Sequence, residues 1–327
     1  MTRAILIFIF SGAAFLAAVG SSTLLLGDAE QAPFVVLLGM AQDGGYPQAG
    51  CRKDCCASAW SDPPGKRHVV CLAVVDPGTG QRWMIDATPD FREQLRMLDE
   101  ITGATASTAA IDGIFLSHAH IGHYLGLAQL GREVMGARGI PVYAMPRMKA
   151  FLETNGPWDQ LVRLGNIALR PLADGKAVRL NERVSVTPIL VPHRDEYTET
   201  AGFRIDGPDR SVLYITDIDK WERWETRVED EIAKVDAAFL DGTFYDIDEL
   251  PGRDMSDIPH PFIVESMKRF AGLPATERAK IRFLHFNHTN PALDETTPQA
   301  KEITRAGFRI AVEGEKVVLK AGRGKRD

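Results

Sequence analysis

The chain has no run of Lys and Arg long enough to track a phosphate backbone. Its 38 basic side chains are outnumbered by 44 acidic ones, for a net charge of −6, and the short basic tail at Arg323, Lys325 and Arg326 reads as a solvated terminus. That balance argues against nucleic acid as a partner. Internal repeats and low-complexity linkers are also missing. What remains is 327 residues, 45% hydrophobic and 25% charged, enough for one large or two small domains with a sizeable core. Cysteine is scarce, at four residues, and three of the four crowd into Cys51, Cys55 and Cys56.

The long apolar run is at the N-terminus. Arg3 precedes residues 4–19, which are almost wholly apolar, and Gly27-Asp28-Ala29 offers a small-x-small cleavage site. Residues 1–30 read as a secretory signal peptide. The alternative is an uncleaved membrane anchor, since the weakly polar stretch extends to Leu26. Both place residues 31–327 outside the cytoplasm, periplasmic or extracellular, with membrane contact only if the segment is retained.

Beyond residue 30, strand-like and helical runs alternate. Residues 34–40 are apolar and end in the Gly-rich loop Asp43-Gly44-Gly45-Tyr46-Pro47; 68–76 and 81–87 pattern as a hairpin. Residues 89–101 pattern as a helix with Phe91, Leu95 and Leu98 on one face. A strand at 111–116 is followed by a helix expected over 124–137. A meander of short strands spans 168–216, a charge-rich helix is expected over 221–235, and strands at 237–240 and 281–286 alternate with helices at 263–271, 274–280 and 295–306. A final hairpin is expected from 308–311 with 316–319. The pattern says mixed α and β.

The strand at 111–116 delivers Ser117-His118-Ala119-His120-Ile121-Gly122-His123, three of the chain's eight histidines within six residues. Imidazoles crowded this way call for a holder, and the usual one is a divalent transition metal. Three more candidates each follow an apolar run: His193 after 189–191, Asp217 after 213–215, and the pair His285 and His288 around 283–288. Neutral imidazoles leave a bound ion positive with an open position, which activates water near neutral pH.

The His run resembles the His-x-His-x-Asp-His motif of the metallo-β-lactamase superfamily. The resemblance implies an α+β fold, a four-layer αββα sandwich of two mixed sheets with outer helices. It assigns His118, His120 and His193 to a first metal, Asp217 to a bridging carboxylate that also serves catalysis, and His123 with one of His285 or His288, His285 preferred, to a second metal. Gly122 stands where the motif has Asp. The loss of that carboxylate predicts a full first site and a weakened or empty second one, with Asp43 or Asp219 as candidate substitutes.

The loop Gly39–Cys51 and its close cysteines narrow the resemblance to the PQQ biosynthesis protein B branch, and so do the segments 240–250 and 285–298. A phosphodiesterase of phosphonate degradation carries a similar element. In both, a Cys-x-Cys-x-x-Cys element binds zinc; here Lys53 stands in the middle position and Cys55 substitutes. The resemblance implies a structural Zn²⁺ on Cys51, Cys55, Cys56 and His288. A disulfide from Cys51 to Cys55 or Cys56 is the competing reading, and Cys71 reads as buried and apolar.

Proteins of that branch generally lack the complete His-x-His and third-His set that this chain has. The leading expectation is therefore an exported metal-dependent hydrolase of an ester, phosphodiester or amide, with one or two catalytic Zn²⁺ and a small-molecule substrate. One alternative is an accessory or oxidative role in PQQ or related cofactor biosynthesis, with iron in the site. The other is a non-catalytic small-molecule-binding domain. Tyr197, Tyr245, His260 and Arg194 are loop residues placed to line a pocket, Arg194 as a partner for an anionic group.

Overall fold

The computed structural model describes residues 31–61, 63–106 and 110–320. The expected signal peptide or anchor lies outside the described residues. No described helix is long and apolar enough to cross a membrane.

The apolar run of β1 (Phe34–Gly39) lacks a polar face because the strand is covered on both sides. Val35 and Leu37 belong to one core, Val36 and Leu38 to another, as strand alternation requires. β1 is followed by α1 (Asp54–Ser61), then by β2 (Cys71–Asp76) and β3 (Gln81–Ile85), which form the expected hairpin. α2 (Phe91–Thr102) comes next and puts Phe91 and Leu98 against the outer face of this sheet. β4 (Gly113–Phe115), α3 (Ile121–Tyr124), β5 (Ile140–Ala144) and β6 (Ile167–Pro171) continue the chain. β3 to β6 run parallel.

The second sheet contains β7 (Val178–Arg179), β8 (Ser185–Val191), β9 (Thr200–Asp206), β10 (Ser211–Ile215), β11 (Ala237–Asp241), β12 (Ile281–Leu284) and β13 (Arg309–Ile310). Each sheet has seven strands, the first in the order β14-β1-β2-β3-β4-β5-β6 with β14 at Lys316–Val318 and the second in the order β13-β12-β11-β10-β9-β8-β7. Leu72, Ile85 and Phe115 of the first sheet meet Phe203, Ile205 and Tyr214 of the second in one continuous core. Ile232, Phe270 and Ile303 of helical segments cover the second sheet from outside. This is the αββα sandwich the resemblance implied.

Three expectations need correction. The helix over 124–137 is only one turn, α3, followed by a 3-10 segment at Leu125–Leu130. Ala87 takes the hydrogen bonds a longer helix would use: its N donates to His123 O at 2.9 Å and its O accepts from Gly126 N at 2.8 Å. The helix over 221–235 breaks into Trp221–Arg223 and Val228–Ala233, with Trp224 extended and its indole donating to Leu190 O at 3.0 Å. The final hairpin does not form either. β13 pairs with β12 in one sheet and β14 with β1 in the other, because Leu37 N donates to Glu315 O and Leu37 O accepts from Gly314 N.

The strand ends carry the chemistry. Asp86 follows β3, His118 follows β4, His193 follows β8, Asp217 follows β10, Asp241 ends β11 and His285 follows β12. Crevices at the carboxyl ends of strands are where such folds place ligands. Phe115 ties the layers below them, stacking on Tyr143 at 4.3 Å and meeting Phe203 edge-on at 5.8 Å. Truncation by Phe115→Ala should cost about 3–5 kcal/mol, read as a lowered midpoint in urea unfolding.

Candidate metal centre

Two groups of donors meet at this edge, and a third set, Asp217, Asp241, His260 and His285, overlaps both. His118, His120, His193 and Asp217 bring one ligating atom each to within 4.8 Å of one another, and so do Asp43, His123 and His285. Asp217 lies between them. Its Oδ2 is 3.2 Å from both His123 Nε2 and His285 Nε2, and its Oδ1 is 3.5 Å from His193 Nε2. A carboxylate in that position can bridge two ions.

An outer layer orients the rings. Asp86, wholly buried, lies 2.7 Å from His123 Nδ1 and accepts from the Ser117 backbone N and hydroxyl. With its proton directed to Asp86, the Ser117 hydroxyl accepts from His118 Nδ1 at 3.0 Å. Thr243 does the same for His285 Nδ1 at 2.8 Å while its own hydroxyl donates to Asp241. His120 Nε2 faces Glu196 at 3.0 Å, which leaves Nδ1 as its inner nitrogen. Each contact sets the tautomer and leaves a lone pair pointing inward. Asp86 and His285 are the two non-glycine residues with positive φ among those described, at 71° and 66°. Strain of this kind gathers at functional sites.

The inward atoms have no hydrogen-bond partner. Asp43 Oδ1, His118 Nε2, His123 Nε2, His193 Nε2, Asp217 Oδ2 and His285 Nε2 are all buried and unsatisfied. Buried polar groups are costly without a partner, and acceptors facing acceptors repel. A cation between them removes both penalties, so the donor set fits a divalent ion. Burial works against ionisation of Asp217, but His285, His123 and His118 hold its carboxyl well below the usual range. Burial and the neighbouring His123 push His118 well down, toward the neutral imidazole that a metal takes.

The second cluster is separate. Cys51 Sγ is 3.8 Å from Cys55 Sγ, and His288 Nδ1 is 3.6 Å from Cys55 Sγ and 3.3 Å from Cys56 Sγ. A tetrahedral ion with Zn–S of about 2.3 Å and Zn–N of about 2.0–2.1 Å requires edges of about 3.8 and 3.6 Å. All four cysteines are free, which favours the metal over the disulfide. Burial, with Cys55 and Cys51 nearby, pushes the Cys56 thiol up to about 12, so ion binding there must release protons.

A family model described as the beta-lactamase superfamily domain matches residues 81–286. The chain belongs to the metallo-β-lactamase superfamily. Among its relatives is a coenzyme PQQ synthesis protein B of Methylorubrum populi, 27% identical over 303 residues, covering 86% of this chain and 98% of the relative. Among solved structures it resembles Zn²⁺-bound PqqB from Methylobacterium extorquens, with a TM-score of 0.72, 23% identity and coverage of 87% of this chain and 99% of that one. It also resembles a diphosphatase of the PhnP family, with a TM-score of 0.61, 24% identity and coverage of 87% and 96%.

Within this PqqB-like member of the superfamily, every ligand position inferred from the sequence is brought into one of the two clusters. Asp219 is not a substitute donor of the second group; it lies 3.4 Å from His193 Nδ1 and pairs with Arg223. Tyr197 is exposed and packs on Phe151, and the Tyr245 hydroxyl donates to Glu302. His260 does join the site, 2.7 Å from Asp241 Oδ2 and 5.2 Å ring to ring from His193. Asp86 and Asp241 were not anticipated. Each follows or ends an apolar strand, the same signal that picked out Asp217.

The Cys51→Ser and His288→Ala variants should each lose one metal equivalent and retain those on the histidine cluster. Elemental analysis after dialysis checks this, and zinc uptake by the wild type should weaken as pH falls.

Proposed function

We propose that the chain is a metal-dependent hydrolase acting on a small anionic ester, phosphodiester or amide. The intact set of inward lone pairs carries this reading. A divalent ion held there would lower the pKa of its coordinated water toward about 7 and polarise the oxygen under attack. Asp217, between the two donor groups, is the residue that would hold them together and orient such a water.

The remaining groups divide the work on the substrate. A cleft of about 560 Å³ adjoins the centre and is lined by His260, Thr243, Arg194, Arg253 and Lys53 among others. The three cationic side chains suit an anionic substrate. Arg194 Nη2 lies 3.5 Å from His120 Nε2, at the metal end of the cleft. Burial opposes protonation of His260, but the Asp241 carboxylate raises its pKa above the ordinary value. A protonated His260 is placed to hand its proton to the leaving group. Export of the hydrolase rests on residues 1–30 alone.

The likeness to coenzyme PQQ synthesis protein B across nearly the whole relative supports a second reading. In it the chain serves the assembly of PQQ or a related cofactor, with iron in the same donors, since imidazole and carboxylate suit iron as well as zinc. Elemental analysis of protein purified without added metal, followed by activity screens with and without dioxygen, separates the two. Zinc with turnover of phosphodiesters supports hydrolysis; iron with dioxygen-dependent turnover supports cofactor assembly. A metal-loaded protein inert in every screen would sink both and leave a small-molecule-binding domain.

His260→Gln should lower kcat about 10²–10⁴-fold with metal content unchanged. In the wild type, kcat should fall as pH rises through the His260 pKa, because the acid is then lost. Arg194→Ala should mainly raise KM; unchanged kinetics on every active substrate would remove Arg194 from the site.

A further inference from the structure

Gly122 breaks the His-x-His-x-Asp-His motif, and a weakened second site is the expected consequence. A carboxylate reaches the second donor group by another route. Asp43, on the loop after β1, has Oδ1 3.0 Å from His123 Nε2 and 3.9 Å from His285 Nε2. A Cβ built on Gly122 would lie 2.6 Å from the Asp43 Cα and 2.8 Å from its Cβ, and would overlap Oδ1. No side chain fits at position 122 while Asp43 is in place. Gly122 is not among the glycines with positive φ, so its backbone would accept another residue. Space excludes a side chain there, not conformation.

We propose that Asp43 and Gly122 are an exchanged pair: Asp43 supplies the second-site carboxylate that the motif normally draws from position 122, and glycine at 122 admits it. Backbone pairing holds the loop in register. Ala41 N donates to His68 O at 2.9 Å, Gln42 N to Phe286 O at 2.9 Å, and Gly45 N to Gln42 O at 2.7 Å. Asp43 is therefore fixed next to the residue that follows His285. Its Oδ1 is buried and has no hydrogen-bond donor. The second group regains an anionic oxygen beside two imidazoles, a donor set that suits zinc, manganese or iron.

The inference rests on the metal reading of the site, so its test counts ions rather than turnover. The full chain, loaded with zinc and dialysed, should hold three equivalents: two on the histidine cluster and one on the cysteines. Asp43→Ala should hold two, with folding unchanged by circular dichroism. The double variant Asp43→Gly with Gly122→Asp should hold three again, since the carboxylate returns to the motif position and the space is vacated. Cobalt substitution gives a second readout. The visible bands from the histidine cluster should lose one ion's intensity in Asp43→Ala and regain it in the double variant.

A wild type with one equivalent on the histidine cluster would overturn the inference and leave a mononuclear hydrolase standing. Three equivalents retained by Asp43→Ala would overturn it with the dinuclear site intact. A double variant that folds but holds only two would also overturn it. A wild type with no ion on the histidine cluster would overturn the inference and the hydrolase reading together.

Discussion

The active edge of this molecule depends on electrostatic compensation among acceptors. Asp217 and Asp43 share a small buried volume with imidazole nitrogens, and the rings of His118, His123 and His285 have their other nitrogen held by an outer hydroxyl or carboxylate. Left alone, such an arrangement is repulsive and desolvated. Protons can quench part of it: burial works against charging His123, yet Asp86 and Asp217 hold its pKa well above the ordinary value. A divalent ion does the same job better, because it satisfies several lone pairs at once. The contacts of Asp86, Ser117 and Thr243 keep these acceptors face to face.

That task falls to groups one step removed from the centre. Asp86 receives His123 and Ser117, and Asp241 receives Thr243 and His260. Both are wholly buried acids at strand ends, Asp86 after β3 in the first sheet and Asp241 at the end of β11 in the second. Asp86 holds His123 directly and His118 through the Ser117 hydroxyl, Asp241 holds His285 through the Thr243 hydroxyl, and so each sheet contributes its own anchor. The left-handed backbone at Asp86 and His285 turns the chain sharply as it leaves the strand. His118, His193, Asp217 and His285 thus sit just past strand ends, while Asp43 comes from the loop after β1 and His120 and His123 from the start of α3.

Much of this was legible in the sequence, and the limits were physical. Histidines after apolar runs reveal themselves because strand and donor are adjacent in the chain. The two-sided burial of β1 is visible as an unbroken apolar stretch. Asp86 and Asp241 stayed hidden because an acid ending a strand looks like any cap or turn until its partner ring is in place. The length of α3 was misjudged because Ala87, more than thirty residues upstream of its far end, captures its hydrogen bonds. β13 and β14 looked like a hairpin because local spacing cannot say which sheet a strand joins. The gap at Gly122 was plain, but whether Asp43 could fill it was a question of three-dimensional space.

The two clusters are also not independent in structure. His285 and His288 are three residues apart and face different centres. Between them, Phe286 exchanges backbone hydrogen bonds with Met40 and Gln42, the residues that lead into Asp43. An ion held by the cysteines would pin His288, and through this segment it would steady both a histidine and a carboxylate of the histidine cluster. Lys53, on the cysteine loop, lines the same cleft as His260 and Arg194. Lys53 and His288 therefore place the cysteine cluster beside that cleft. A structural ion there would restrain the geometry of the histidine cluster as well as the fold.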